Sequence, residues 1–260
     1  MGLAPSQDSY QGIALAMLKL AESVFPFRAD IREHTLLKLG LTGGIASGKS
    51  AVGAIFVKLG AHLIQADAVA HELMQPSRPV YEEVVRHFGR EILNADGTVN
   101  RSRLAAAAFG TAGGLSPRVE ELNRIVHPAV IAYENEWMKE VGRRDPRAVA
   151  IVEAALILEA GSAGRFDHLI VVTCDAGQRI HRYAARVGIS EDAARTEVAR
   201  RMAAQIPDEE KIKAADFVID NSGSLEATEQ QVKRIFSTLQ SQAGFRDSPN
   251  SNSSSNSGAE

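Results

Sequence analysis

One short stretch of the sequence combines glycines, a lysine and a serine at a spacing suited to binding phosphate. Residues 43–50 read GGIASGKS and match the pattern Gly-x-x-x-x-Gly-Lys-Ser. Glycines let the backbone curl so that its N–H groups point at phosphate oxygens, and the following helix adds its positive N-terminus. Lys49 can bring a full charge to the β and γ phosphates, and the Ser50 hydroxyl can ligate Mg²⁺. The stretch therefore predicts a nucleoside triphosphate site, the alternative being a glycine-rich turn that only tightens a strand-to-helix connection.

A second candidate is Asp67, whose carboxylate ends the apolar segment AHLIQAD. We expect Asp67 to end a strand next to the strand that carries the phosphate loop, at the carboxyl edge of a parallel sheet. A carboxylate there can accept a proton from, or orient, an acceptor hydroxyl that faces the γ phosphate. An aspartate before a helical segment is also a good N-cap. The residues alone leave both interpretations open.

A run of arginines forms the third candidate group. Arg179, Arg182 and Arg186 recur at helical spacing, and Arg200 and Arg201 follow on the next helical pattern. Such runs are usually solvated charged faces, but this one occupies the position at which nucleotide kinases carry a mobile lid. A closing lid would bring guanidinium groups onto the phosphates and expel water. We therefore predict that Arg182 and Arg186 contact the nucleotide.

The elements that must position these residues alternate between short apolar strands and helical patterns. Strands are expected within residues 36–41, 61–67, 148–153, 167–174 and 216–220, and a last amphipathic helix over 225–239. The helical pattern over 116–141 should break near His127-Pro128, and Asp96-Gly97 should form a turn. Alternating strands and helices indicate a parallel sheet covered on both faces. The predicted fold class is α/β, a three-layer domain on a five-stranded parallel sheet.

Composition excludes several classes of protein. The formal net charge of −3 over 260 residues does not indicate a general nucleic-acid or membrane-surface binder. The single cysteine, Cys174, excludes an intramolecular disulfide and fits a reducing cytosol. The apolar stretch over residues 12–25 contains Lys19 and Glu22 and is too short and polar for a membrane span. We expect a cytoplasmic protein with no nucleic-acid or membrane partner, and the oligomeric state stays open.

The phosphate loop by itself does not separate a kinase from a GTP switch or a motor ATPase. Guanine-specific switches need an Asn-Lys-x-Asp loop, which this sequence lacks, and the Asp-x-x-Gly match at Asp220–Gly223 lies far downstream of the phosphate loop. An apolar strand ending in paired acids, typical of motor ATPases, is also missing. The residues therefore favour a small-molecule kinase.

Seven segments together resemble the dephospho-CoA kinase family. They are LTGGIASGKS, ADAVAHEL, DGTVNRSRLAAAAF, LNRIVHP, LILE, LIVVTC and AAQIPDEEKIKAADFVIDNSG, in family order over residues 36–239. The resemblance implies a P-loop kinase domain over residues 35–240, with a helical acceptor-binding region at 68–141 and a lid at 178–206. Residues 1–34 would be an N-terminal extension and 241–260 a disordered, Ser/Asn-rich tail. The implied reaction transfers the γ phosphate of ATP, with Mg²⁺, to the 3′-hydroxyl of the dephospho-CoA ribose.

The resemblance also implies roles for individual residues. Asp67 and Lys49 would be catalytic, and Ser50 would ligate the metal. The residues implied to bind ATP are Gly43, Gly44, Ala46, Ser47, Gly48, Lys49, Ser50, Ala51, Arg182, Arg186, Asn221 and Gly223. The residues implied to bind the acceptor are Thr42, Asp67, Arg101 and His127.

Five positions depart from the family pattern: Ala46, Ala51, Gln65, Ala155 and Val187. Ala46 stands where the family usually has glycine, and alanine is tolerable there only if its φ is negative. Because Lys49, Ser50 and Asp67 are kept, we expect activity to survive. Two alternatives remain: another P-loop kinase of nucleotides or metabolites, and a nucleotide-binding regulator derived from a kinase.

Overall fold

Five parallel strands form the sheet of this computed structural model, which describes residues 36–109 and 117–242. The strand order is β2-β3-β1-β4-β5. The strands are β1 (Leu37–Gly43), β2 (His62–Gln65), β3 (Val149–Glu153), β4 (His168–Thr173) and β5 (Phe217–Asp220). All five lie within a residue or two of the segments predicted from the sequence.

Helices connect the strands and cover the sheet. Those of the described ranges are α1 (Lys49–Lys58), α2 (Ala66–Leu73), α3 (Pro79–Phe88), α4 (Arg101–Phe109), α5 (Pro117–Arg144), α6 (Ala176–Val187), α7 (Glu191–Ala203), α8 (Asp208–Ala214) and α9 (Leu225–Gln242). Two short 3₁₀ turns, Arg90–Ile92 and Ala163–Arg165, complete the connections.

The strands are buried because their side chains alternate between two covered faces. On one face, Leu39 and Ile151 pack with Phe56 of α1 and Phe236 of α9. On the opposite face, Ala150 and Val152 pack with Met138 and Val141 at the end of α5. The two clusters make a helix–sheet–helix arrangement, which confirms the predicted three-layer α/β fold.

The sheet register places the carboxyl ends of the strands at one edge. Leu41 of β1 pairs with Glu153 of β3, and Glu153 pairs in turn with Gln65 of β2. The expectation that the second strand lies next to β1 is therefore wrong, because β3 lies between them. The inserted strand brings the Glu153 carboxylate to the end of β1, where the phosphate loop starts.

Helices α2 to α5 pack around a hydrophobic core of their own. Val69, Val84, Phe88, Leu104 and Val130 are among its buried members. The predicted interruption near His127-Pro128 is wrong, since α5 continues through Pro128. Proline costs this helix one backbone hydrogen bond, and the apolar residues on both sides of it stay packed in the core.

The predicted turn at Asp96-Gly97 is confirmed. The Thr98 N–H donates to the Asp96 carboxylate at 2.9 Å, and the Asn94 N–H donates to the Thr98 carbonyl at 2.8 Å. Gly97 has a φ of 82°. The turn leads directly into α4.

The predicted lid, residues 178–206, corresponds to most of α6 and all of α7. These helices share a small core in which Ile180, Tyr183 and Val198 pack with Ile45 of the phosphate loop. The lid is therefore joined to the loop by apolar contact.

The predicted N-terminal extension, residues 1–34, and residues 243–260 of the predicted tail lie outside the described ranges. Helix α9 continues to Gln242, two residues past the predicted domain boundary at 240. Within the described residues, no helix combines the length and the apolar character needed to cross a bilayer.

Candidate active site

The phosphate loop connects the end of β1 to the start of α1 and contains most of the residues predicted to bind ATP. Gly48 is the N-cap of α1, with a φ of 94°. A Cβ at Gly48 would overlap the side-chain nitrogen of Asn221, which donates to the Ser47 carbonyl at 2.8 Å. Glycine is needed there for both reasons. The N–H groups of Ala51 and Val52 donate to the Gly48 carbonyl at 3.0 and 3.1 Å. The N–H groups before them, at the start of the helix, have no carbonyl one turn back to pair with.

Ala46 adopts a left-handed backbone conformation with a φ of 54°. The prediction from the sequence is that alanine is tolerable at position 46 only if its φ is negative. That prediction is wrong, because the φ of Ala46 is positive. The loop imposes the conformation that glycine adopts freely, and for alanine a left-handed backbone costs roughly 1 kcal/mol. The residues on either side of Ala46 hold the loop in this conformation. Ile45 packs with Ile180, Tyr183 and Val198 of α6 and α7, and Ser47 is fully buried.

The Lys49 ammonium lies over the loop. Its Nζ donates to the carbonyls of Gly43 and Gly44 at 3.0 and 3.1 Å. Burial lowers the pKa of Lys49, and the carboxylates of Glu153 and Asp67 act in the opposite direction. One lysine charge thus lies between the loop carbonyls and two carboxylates.

Ser50 and Glu153 form a polar pair at the end of the loop. The Ser50 hydroxyl donates to Glu153 Oε1 at 2.8 Å, and Gln65 Nε2 donates to Glu153 Oε2 at 3.0 Å. Ser50 is exposed, whereas Glu153 is buried. Gln65, one of the departures from the family pattern, therefore holds the buried carboxylate in place.

Asp67 lies in the first turn of α2 and does not end β2, which stops at Gln65. The N-cap of α2 is Gln65, so the alternative that Asp67 caps this helix is wrong as well. The strand is shorter than predicted because the chain turns into α2 directly after Gln65. In the described part of the chain, the exposed Asp67 carboxylate has no hydrogen-bond or ion-pair partner.

Asp67 lines a cavity of about 250 Å³ between α2, α5 and the segment after β3. Its walls are mostly apolar: Ala70, Met74, Leu122, Val126, Val130, Val152, Leu156 and Ile157 are among them. His127 also lines the cavity, and half-burial lowers its pKa below 6.5. Its imidazole is therefore neutral near pH 7.

The cavity also contains an ion pair that the sequence interpretation missed. Glu134, only 2% exposed, lies 2.9 Å from a guanidinium nitrogen of Arg165. Burial raises the pKa of Glu134 and Arg165 acts against that shift. A signal was present in the sequence: Val126, Val130 and Glu134 recur every four residues, which places the acid on the apolar face of the helix.

The lid arginines occupy two different environments. Arg182 donates to the carbonyls of Asn221 and Ser47, at 3.0 and 3.5 Å. Arg186 is exposed and stacks over the Tyr183 ring, with its guanidinium carbon 5.4 Å from the ring centroid. Arg182 thus lies at the phosphate loop, while Arg186 is held on the lid.

The remaining predicted site residues lie at varying distances from the loop. Thr42 is fully buried and its hydroxyl donates to the Ala155 carbonyl at 3.2 Å, which ties β1 to the cavity wall. Gly223 follows Asn221 and is exposed. Arg101 begins α4, is exposed and does not line the cavity.

The phosphate loop lies at the carboxyl edge of a five-stranded parallel sheet, with α6 packed on it and with the Asp67 carboxylate, unpartnered among the described residues, nearby. This combination is typical of a P-loop small-molecule kinase. Residues 37–227 match the dephospho-CoA kinase family. The chain is 38% identical over 204 residues to a dephospho-CoA kinase of Corynebacterium efficiens, covering 78% of this chain and 98% of that protein. It is 40% identical over 204 residues to one of Corynebacterium jeikeium, covering 78% of this chain and 100% of that protein.

A solved structure shares this fold. The crystal structure of TT1252 from Thermus thermophilus superposes with a TM-score of 0.64 at 32% identity, covering 79% of this chain and 98% of that chain. The chain belongs to the dephospho-CoA kinase family.

Proposed function

We propose that the chain transfers the γ phosphoryl group of ATP to the 3′-hydroxyl of the dephospho-CoA ribose, the last step of coenzyme A synthesis. The observation that carries this proposal is the unpartnered Asp67 carboxylate. It lines an apolar cavity and lies close enough to Lys49 to act on its charge. An acceptor in that cavity would therefore meet a proton acceptor, Asp67, close to the charge of Lys49.

The nucleotide half of the reaction belongs to the loop. Backbone N–H groups around Gly48 and the N-terminus of α1 hold the triphosphate, and Lys49 leaves the loop carbonyls for the β and γ phosphates. Ser50 and Glu153 offer oxygen donors side by side, the donor type that fits Mg²⁺. Bound there, Mg²⁺ would neutralise charge that develops on the phosphates.

The acceptor half belongs to the cavity. Asp67 accepts the proton of the attacking hydroxyl or orients it, and the reacting oxygen is held in line with the γ phosphate. The neutral imidazole of His127 and the apolar walls exclude bulk water from this side of the site. Exclusion of water favours transfer to the acceptor over hydrolysis of ATP.

The lid supplies positive charge at the phosphates. Arg182 is already at the Ser47 carbonyl, and Arg186 lies one helical turn further along α6. Closure of α6 and α7 would exchange these intramolecular contacts for contacts to phosphate oxygens. We place the reaction in the cytoplasm, without a nucleic-acid partner.

The test is an ADP-release assay with the full chain, ATP, Mg²⁺ and dephospho-CoA, with product identified by mass and by release of phosphate with a 3′-nucleotidase. We expect a product one phosphate heavier than dephospho-CoA and sensitive to that nucleotidase. AMP, adenosine and pantetheine serve as competing acceptors. Phosphorylation of one of these in preference to dephospho-CoA, or nucleotide binding without transfer, would overturn the proposal.

A further inference from the structure

Helix α8 carries two charged residues on one face, and each forms an ion pair with a side chain from another part of the fold. Asp208 begins the helix and pairs with the guanidinium of Arg179. Lys211, one turn later, lies with its Nζ 2.8 Å from Glu159 Oε1. Residues three apart on a helix lie on the same face. The short helix thus connects two separate regions of the molecule.

The first pair lies against the phosphate loop. Arg179 is only 2% exposed, and its Nε donates to the Cys174 carbonyl at 3.1 Å. A Cβ at Gly44 would overlap Arg179 Nη1, so the guanidinium lies directly against the Gly44 backbone. Asp208 thus neutralises and orients the Arg179 guanidinium, which packs against the backbone of the phosphate loop at Gly44.

The second pair lies against the acceptor cavity. Lys211 is fully buried, and Glu159 Oε1 also accepts the Ile206 N–H at 3.1 Å. Glu159 belongs to the segment after β3, in which Leu156, Ile157 and Ala160 line the cavity. Lys211 thus anchors one wall of the cavity that contains Asp67.

We propose that Asp208 and Lys211 are positioning residues with separate targets: Asp208 sets the phosphate loop through Arg179, and Lys211 sets the acceptor cavity through Glu159. The inference rests on the proposed function, because it assigns one substrate to Asp208 and the other to Lys211. Neither side chain touches a substrate. Each acts by holding a partner whose backbone neighbours form a binding surface.

Each pair has one buried member: Arg179 against the phosphate loop and Lys211 behind the cavity wall. Removal of one partner leaves the other charge uncompensated in a low-dielectric region, so that side chain and its segment must move. Loss of Lys211 therefore displaces the 154–162 segment, whereas loss of Asp208 displaces Arg179 and the Gly44 backbone. Small displacements of a substrate-positioning surface are enough to change its kinetics strongly.

The test measures both KM values in the full chain. For Lys211→Met we expect the KM for dephospho-CoA to rise roughly tenfold, with the KM for ATP changed less than about twofold. For Asp208→Asn we expect the converse. Lys211→Arg and Asp208→Glu should restore most of each loss, because the charge pair is kept.

Matched controls lie on the same helix. Lys213→Met and Glu209→Gln alter exposed residues of α8 and should leave both KM values unchanged. If a single variant does not fold, a double variant replaces it: Glu159→Gln with Lys211→Met, or Arg179→Gln with Asp208→Asn. Each double variant leaves no buried charge unpaired and should show the same selective rise in KM.

Equal changes in both KM values, or no change in either, would overturn the inference. A wild-type chain that does not phosphorylate dephospho-CoA would instead overturn the proposed function.

Discussion

Asp67 is the residue on which the proposed chemistry depends most directly. Its carboxylate has no partner among the described residues and lines the cavity that we propose binds the acceptor. In the same proposal, Lys49 and the loop bind the nucleotide. The position of Asp67 in the first turn of α2, two residues after the N-cap Gln65, removes the alternative that Asp67 caps this helix.

Replacement of Asp67 by asparagine should therefore reduce kcat and leave ATP binding nearly intact. Asparagine keeps the size but cannot take the proton or carry the charge, so we expect a loss of about 10²- to 10⁴-fold in kcat. Steady-state kinetics with dephospho-CoA and an ATP-binding titration check this. Glu72→Gln, on the exposed side of the same helix, is the control. An unchanged kcat would remove Asp67 from the reaction.

We expect Lys49 to be needed for phosphoryl transfer and, because its charge is buried, to lower the stability of the folded chain. Burial lowers its pKa from 10.5, so the folded chain binds this proton less tightly than the unfolded chain does. Stability should rise with pH in the window between the lowered pKa and 10.5, and the cost is complete below the lowered pKa.

We therefore expect Lys49→Met to abolish phosphoryl transfer without lowering the melting temperature at pH 7, and to flatten the alkaline rise in stability. Activity assays and melting curves between neutral and alkaline pH measure both effects. Lys58→Met, an exposed lysine at the end of α1, should change neither. Near wild-type turnover in Lys49→Met would exclude the phosphate-loop assignment.

Replacement of Ala46 by glycine should make the folded chain more stable. The Ala46 φ of 54° is a conformation that glycine adopts without a Cβ clash. We expect Ala46→Gly to raise the free energy of unfolding by roughly 1 kcal/mol. Urea denaturation should show a higher midpoint with an unchanged slope. A lower midpoint would contradict this prediction. It would mean that packing of the Ala46 methyl against the lid core contributes more stability than the backbone strain costs.

At the scale of elements, α5 joins the helical region to the sheet. Its first half packs in the helical core and lines the acceptor cavity, and its end packs on β3. A proline in the middle is tolerated because both halves are fixed by packing. The helix therefore determines where His127 and Glu134 lie relative to Asp67.

Burial of His127 should make the stability of this helical region depend on pH. Its pKa is lowered from 6.5, so protonation favours the unfolded chain, and stability should fall as pH drops through 6.5. We expect His127→Gln to remove part of that fall, as measured by melting temperatures from pH 8 down to about 5. His62→Gln, an exposed histidine on β2, should behave as wild type. Parallel pH curves for His127→Gln and wild type would contradict the prediction.

At the scale of the whole molecule, separate cores meet at one sheet edge. The sheet core holds β1 and the phosphate loop, the helical core holds one side of the cavity, and the lid core holds the arginines. Helix α8 reaches both the loop and the cavity wall through buried ion pairs. Under the proposed function, the two substrates bind to different parts of the fold and react where those parts meet.

The sequence by itself determined the elements and the phosphate loop, because both depend on local patterns. Apolar segments predicted all five strands, and the spacing of Gly43, Gly48, Lys49 and Ser50 predicted the loop, since phosphate binding by backbone N–H groups needs that local geometry. The acceptor-side role of Asp67 followed only from its place after a strand and from the family resemblance, and it remains a prediction.

Only the tertiary structure decided which strands are neighbours and which charges are paired. Because β3 lies between β1 and β2, Glu153 reaches Ser50. The order of strands in the sheet cannot be predicted from the residue pattern of any one segment. Likewise, Lys211 lies in a charged run that reads as a solvated face, yet it is fully buried against Glu159. Contacts between residues far apart in the chain depend on how the layers pack, and packing is a property of the whole fold.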